Sequence, residues 1–413
     1  MTSTNLKINA QRLWDTLMET ASFGGTKKGG INRLTLTDDD KKVRDWFRQA
    51  AEAAGCTVSV DEVGNMFARR EGRREGLAPL AMGSHLDTQP TGGKFDGVLG
   101  VLGALEAVRT LQESGYETNA PIEVINWTNE EGSRFVPAML GSGVFAGAFP
   151  LDFANGCQDR DGNTFADELS RIGYRGAEKV GAHKLGAMIE LHIEQGPILE
   201  SEGATIGVVT GVQGMRWYEV TVCGEDAHTG ATPMRLRKNA LLGAARVIDA
   251  VDAVGHDFAP GVATVGLIEN RPNSRNVVPG EVFLTIDLRH PQDDVLEQME
   301  QRMKLALAAI LDPLGLTHQE KRISTSPAVR FAPELISCVR RAAEEAGFAT
   351  RDMVSGAGHD AVYVARVAPT TMIFVPCLKG ISHNELESTS FDECAAGAQV
   401  LLNAILEYDR GLA

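Results

Sequence analysis

The chain has 413 residues, more than one ordinary core accommodates, so two domains are expected. Apolar residues make up 43% and charged residues 23%, an ordinary globular balance. With 55 acidic against 40 basic side chains, the net charge of -15 repels phosphate backbones and anionic lipid, which argues against nucleic acid and membrane as partners.

The N-terminal MTSTNLKINAQRLWDTL lacks a basic run followed by an apolar one, and no apolar stretch of about 18 residues occurs, so a cytoplasmic location is expected. The six cysteines show no CxxC spacing, which predicts reduced thiols rather than a disulfide framework or a zinc knot. From Thr37 a Thr cap, an acidic first turn, Val43, Trp46, Phe47 and Ala50, then Gly55 as a stop, predict a helix. Strand-like runs before His85, at PIEVINWTN and at AMIELHIEQG alternate with helical patterns such as Val98 to Leu111. That alternation predicts an α/β domain with a mainly parallel, buried sheet, whose ligands gather at the carboxyl ends of strands.

Residues 211–325 read differently. Strands at 215–223, 262–270, 281–289 and 317–324 and helices at 237–254 and 293–312 follow the βαββαβ order of a ferredoxin-like unit. Helix, strand and helix patterns resume at 333–346, 371–376 and 392–408. The expected organisation is a discontinuous domain, 1–210 with 326–413, carrying 211–325 as an insert.

The chemistry-bearing side chains sit in short Gly-rich motifs after the strand-like runs. His85 is followed by Asp87, whose carboxylate is expected to accept the ring's second N–H and fix its tautomer. Asp96 lies in GGKFDGVLG, where a short carboxylate between glycines can bridge two cations. Glu130 and Glu131 stand side by side with side chains expected to face opposite ways in an extended stretch; one can ligate metal and the other carry a proton. Although the pair taken alone reads first as a solvated acidic loop, the HxD and Asp-Gly segments beside it reverse that preference. In Met188 to Glu194, Glu190, His192 and Glu194 share one face of what reads as a half-buried strand; His192 also admits a core role. His383 follows the strand TMIFVP in a loop. Together these groups suit a mixed nitrogen and oxygen site for two divalent ions, Zn²⁺ first, with Mn²⁺, Co²⁺ or Ni²⁺ as substitutes.

As a set, GSHLDTQPTGGKFDGVLG, NEEGSRFVPAMLGSGVFAG, ELHIEQGPILE, GEDAHTGATPM, RPNSRNVVPG, DLRHP, SGAGHDA and SHNELE resemble the hydantoinase/carbamoylase family of amidases, within the dinuclear-zinc aminoacylase and carboxypeptidase superfamily. The resemblance spans nearly the whole chain. It implies a dinuclear-zinc peptidase-like catalytic domain with a mainly parallel mixed sheet and an inserted dimerisation domain, hence a homodimer. It also implies that one metal is held by His85, Asp96 and His192 and the other by Asp96, Glu131 and His383, with Glu130 as general base and Asp87 supporting catalysis. His228 resembles the histidine that stabilises the oxyanion, in its own or the partner's site. Gln195, Asn276, Arg289 and Gly358 resemble substrate-contacting residues; a guanidinium fork suits a carboxylate. His359 receives no role.

The implied substrate is a small acid bearing an N-carbamoyl (ureido) group, an N-carbamoyl-L-amino acid or N-carbamoyl-β-alanine, hydrolysed to amine, CO2 and ammonia. Hydrolysis of allantoate or ureidoglycolate is the alternative. A binding protein that lost catalysis would have lost Glu130 or a ligand, and all are present. A nucleotide-binding fold is disfavoured because the 44 glycines include no G-x-G-x-x-G after the first strand.

Overall fold

The computed structural model describes residues 6–412, and the chain forms two compact units, one up to Thr210 and again from Phe331, the other Gly211–Arg330. The first unit is built on a mixed sheet. Its spatial order is Thr57–Val60, Met66–Arg70, Ile122–Trp127, Leu80–His85, Ala187–Ile193, Thr370–Val375 and Ile206–Val212, with Thr350–Ser355 paired beside the last. The middle four strands are parallel, in register Leu80 with Ile122, Leu80 with Ala187 and Thr370 with Met188. Antiparallel pairings flank them.

From Leu80–His85 the chain passes through helix Val98–Ser114 to Ile122–Trp127 on one side, whereas Ala187–Ile193 has Thr370–Val375 on its other side. Connections that diverge in this way leave a crevice at the carboxyl ends of two adjacent parallel strands. The helix lies close to the sheet: a Cβ on Gly100 would stand 2.3 Å from the Leu191 carbonyl oxygen, so glycine is required there.

Ala187–Ile193 is buried throughout, which corrects the half-buried expectation. Alternation in its sequence reflects two covered faces, one apolar and one whose Glu190 is satisfied by Ser84 Oγ at 2.6 Å and the Ala361 amide at 2.9 Å. The helix after Thr37 spans Asp38–Ala53, with the Thr37 hydroxyl accepting from the Asp40 amide. The final helix, Phe391–Gly411, begins on a Ser390–Glu393 capping box.

The second unit is a four-stranded antiparallel sheet, ordered Thr317–Ser326, Gly214–Cys223, Glu281–His290, Val262–Arg271, in βαββαβ chain order. Helices Ala240–Asp257 and Asp293–Leu311 contribute Val247, Val251, Met299 and Met303 to a core with Val220, Val222, Leu284 and Ile286. The first of these helices starts three residues later than expected, because Asn239 caps it by accepting from the Leu242 amide. The edge strand Val262–Arg271 leaves Val262, Leu267 and Ile268 exposed.

In the first unit, His183 joins a loop to the sheet: Nδ1 lies 2.7 Å from Glu178 Oε1, Nε2 lies 2.7 Å from Glu123 Oε2, and the ring stacks on Phe67 at 4.2 Å. Burial opposes charge on this ring, but the two carboxylates outweigh it and raise its pKa. A raised folded-state pKa contributes stability below the unfolded value, about 6.5, and loses it as pH rises through the folded value. Amides of residues 176–186 should therefore exchange faster with solvent above that folded value, after correction for the intrinsic rate. Protection independent of pH would contradict this.

Candidate metal centre

Three buried strand ends and two loops converge in the crevice. His85 closes Leu80–His85, and its Nδ1 faces the Asp87 main-chain carbonyl at 2.9 Å. His192, near the end of Ala187–Ile193, has Nδ1 2.9 Å from the Ile193 carbonyl. A carbonyl only accepts, so each Nδ1 carries hydrogen and each Nε2 is the nitrogen turned inward as a potential ligand. His192 Nε2 lies 3.1 Å and His85 Nε2 3.6 Å from Asp96 Oδ1. The other carboxylate oxygen, Asp96 Oδ2, is 3.5 Å from His383 Nε2, which is itself 3.6 Å from Glu131 Oε2.

His85, Asp96 and His192 thus form one group whose ligand atoms lie within 4.8 Å of one another, and Asp96, Glu131 and His383 form a second, with Asp96 common to both. The donor set is nitrogen and carboxylate oxygen without sulfur, which fits borderline divalent cations. Electrostatics point the same way. Burial disfavours charge on His85, but Glu130, Asp96 and Asp87 more than offset it and raise its pKa well above the ordinary value; Asp96 does the same for His192. For Asp96, burial is outweighed by His192 and His85, which hold its carboxyl well below the ordinary range. The surroundings therefore favour positive charge between these groups, whether proton or metal ion.

Glu130 is buried, with Oε2 3.5 Å from His85 Nε2. Burial raises its pKa, His85 opposes, and Asp360, Glu131 and Asp87 add to the rise. Burial and Asp96 likewise push Glu131 upward. Asn129, at φ 59°, breaks the extended run assumed for this pair; Glu130 stands by His85 and Glu131 by His383.

The Asp87 expectation needs correcting. Its carboxylate stands 3.9 Å from His85 Nδ1, and the backbone carbonyl takes the ring N–H instead. The carboxylate accepts from the Glu130 and Glu131 amides, each at 3.3 Å, and so holds the turn that presents both glutamates. Gln195, at φ 57°, donates its amide to Asp96 Oδ2 at 2.8 Å. A Cβ on Gly358 would meet the Met139 side chain at 2.9 Å.

His228, Asn276 and Arg289 belong to the second unit. His228 Nδ1 accepts from the Gly230 and Ala231 amides at 3.0 Å each, leaving hydrogen on Nε2. Asn276 accepts from the Ser274 hydroxyl, and Arg289 pairs with Asp287 at 2.8 Å.

Glu387 and Ser382 escaped the sequence reading, which gives His359 no role. Glu387 accepts from the Phe95 and Asp96 amides at 3.0 and 3.1 Å, and burial, with Asp96, pushes its pKa up to about 8. Ser382 donates to Asp96 Oδ2 at 2.8 Å. His359 packs edge-on against His192, centroids 4.6 Å apart, and burial keeps it neutral with its pKa well below the ordinary value. Glu387 and Ser382 lie in the SHNELE motif that carries His383, so flanking polar residues were the available signal.

Residues 81–407 match the peptidase family M20/M25/M40. The chain belongs to that family. Across 404 residues it is 51% identical to an N-carbamoyl-L-amino-acid amidohydrolase of Rhizobium meliloti, covering 98% of this chain and 97% of the relative. An allantoate amidohydrolase of Escherichia coli K12 is 36% identical over 395 residues, 95% of this chain and 96% of that one. Among solved structures, a hydantoinase/carbamoylase family amidase from Burkholderia multivorans aligns with a TM-score of 0.96 at 55% identity, covering 97% of this chain and 98% of the other. The mixed, centrally parallel sheet is that of this family's fold. Among the described residues, no helix is long and apolar enough to cross a membrane.

Gly97 offers a local test. It sits at φ 67°, donates its amide to His192 Nε2 at 3.1 Å, and a Cβ there would stand 2.3 Å from the His85 ring. Gly97→Ala should destabilise the fold by about 1–3 kcal/mol, as overpacking does, and weaken metal retention. Denaturant unfolding and metal analysis after desalting read both effects; unchanged values would show that the crevice has more room than described.

Proposed function

We propose that the chain is a dinuclear metal amidohydrolase that cleaves the ureido C–N bond of N-carbamoyl-L-amino acids or N-carbamoyl-β-alanine, releasing amino acid, CO2 and ammonia. The observation that carries this reading is the 51% identity, over 98% of the chain, to an N-carbamoyl-L-amino-acid amidohydrolase. Allantoate or ureidoglycolate is the alternative substrate, supported by the more distant allantoate relative at 36%.

His85, Asp96 and His192 would hold one divalent ion and Asp96, Glu131 and His383 the other, consistent with the two groups of converging ligand atoms. Two imidazoles beside carboxylates favour Zn²⁺, with Mn²⁺, Co²⁺ or Ni²⁺ as alternatives. Bound ions would supply an activated water and a polarised substrate carbonyl.

The remaining steps belong to the chain's side chains. Glu130 is the general base: it is buried and turned toward His85, where a carboxylate can take a proton and return it to the leaving nitrogen, and burial raises its pKa. Asp87 keeps Glu130 and Glu131 in place through their amides. His228, with hydrogen on Nε2, is a ready donor to an oxyanion. Asn276 and Arg289 bind the substrate carboxylate, Gln195 contacts the substrate, and Gly358 lets the backbone approach it.

The second unit is also proposed as the homodimer contact, supported by its exposed edge strand with Val262, Leu267 and Ile268. All six cysteines are unpaired, which supports a cytoplasmic enzyme.

Ammonia release measured in parallel from N-carbamoyl-L-methionine, N-carbamoyl-β-alanine and allantoate decides the substrate. Turnover of either carbamoyl compound is expected, and activity on allantoate alone would overturn the assignment. Glu130→Gln should lower turnover by about 10²–10⁴-fold while both ions stay bound. Retained turnover would remove Glu130 from the role of base.

A further inference from the structure

Glu131 has its rotamer fixed by one residue that no comparison assigns. The Gln89 main-chain N–H donates to Glu131 Oε1 at 3.0 Å, and the Gln89 side-chain amide donates to Oε2 at 2.6 Å. Both carboxylate oxygens are thereby engaged from the same residue. A carboxylate oxygen only accepts, so the end of the Gln89 amide against Glu131 Oε2 is the NH2, and the other end, Oε1, accepts from Ser133 Oγ at 2.8 Å.

The Gln89 backbone is fixed as well. Its neighbour Thr88 is tied to Arg33 in both directions, through Thr88 N to Arg33 O and Arg33 N to Thr88 Oγ1, each at 2.9 Å. Pro90 on the other side restricts Gln89 to extended conformations. The arrangement demands a carboxamide: an Ala leaves Glu131 Oε2 without this donor, and a Glu sets a second carboxylate against the first. Glu131 Oε2 is also the oxygen that faces His383 Nε2 at 3.6 Å.

We propose that Gln89, oriented by Ser133, is a positioning residue that sets the metal affinity of the half-site containing Glu131 and His383, leaving the half-site with His85 and His192 unaffected. This rests on the reading of Glu131 and His383 as ligands. Neither Gln89 nor Ser133 touches the His85–Asp96–His192 group in any hydrogen bond described above, so the effect is specific to one ion. A carboxylate that must be ordered at the moment of binding loses affinity to rotamer entropy, which prior hydrogen bonding avoids.

The test titrates Zn²⁺ into the full-length, chelator-stripped protein by calorimetry, with metal content per chain measured after desalting. Wild type should bind two ions. Gln89→Ala should keep one at wild-type affinity and bind the second about 10–100-fold more weakly, the usual loss when a group supporting a ligand is removed. Ser133→Ala should give a smaller loss of the same ion and add nothing in the Gln89→Ala background, because it acts through the amide.

Two ions bound by Gln89→Ala as tightly as by wild type would overturn the proposal, as would a full Ser133→Ala effect in the double variant. Should Gln89→Ala fail to fold, Ser133→Ala alone decides, and an unchanged second affinity is the overturning result. Glu131→Gln separates the two levels: if it still binds two ions at wild-type affinity, the ligand reading itself fails, whatever Gln89 does.

Discussion

One buried carboxylate organises the crevice. Asp96 turns Oδ1 to His192 and His85 and Oδ2 to His383, Gln195 and Ser382, so nearly every polar group in the crevice is arranged around its charge. An ionised carboxyl taken out of water is costly unless it is paired and hydrogen-bonded. Here the imidazoles outweigh burial and keep the group anionic, and Glu387 grips the backbone on which it stands. Removing Asp96 would leave the inward-facing imidazoles of His85 and His192 without a common partner.

The fold provides what that carboxylate requires. Four parallel strands, buried throughout, exclude water, and the divergence of their connections opens a crevice at their carboxyl ends. Backbone in the left-handed region clusters in the same loops: Asn129, Gln195 and His383 all have φ near 55°. Such conformations cost free energy for residues other than glycine, and they persist where surrounding contacts determine them. In this chain the contacts are the hydrogen bonds that aim the candidate ligands.

Much of this was legible in the residues. HxD, the paired glutamates and Ser-His-Asn each follow an apolar run, and local pattern suffices to place them near strand ends, with the Glu-Leu-His run inside a strand and Asp-Gly just before a helix. Local pattern cannot say which atom of Asp87 meets His85, because carbonyl and carboxylate are equally near in sequence; packing decides between them. Nor does it reveal the supports. Gln89 reaches Glu131 across 42 residues, and Glu387 reaches Phe95 across 292, contacts that exist only once the fold has closed. The half-buried reading of Ala187–Ile193 failed for a related reason: a polar stripe looks solvated until a neighbouring strand and helix supply Ser84 and the Ala361 amide.

The discontinuity of the first unit bears on when the centre can exist. Its candidate ligands run from His85 to His383, with all of Gly211–Arg330 made in between. An emerging chain therefore carries the first four of them long before the fourth strand of the parallel core and the His383 loop have been synthesised. Domains are completed from the N-terminus onward, and a cation held by Asp96, Glu131 and His383 would fasten segments from before and after the insert to each other. Binding free energy of such an ion is folding free energy, so it would act as a late clasp that closes a loop of nearly three hundred residues.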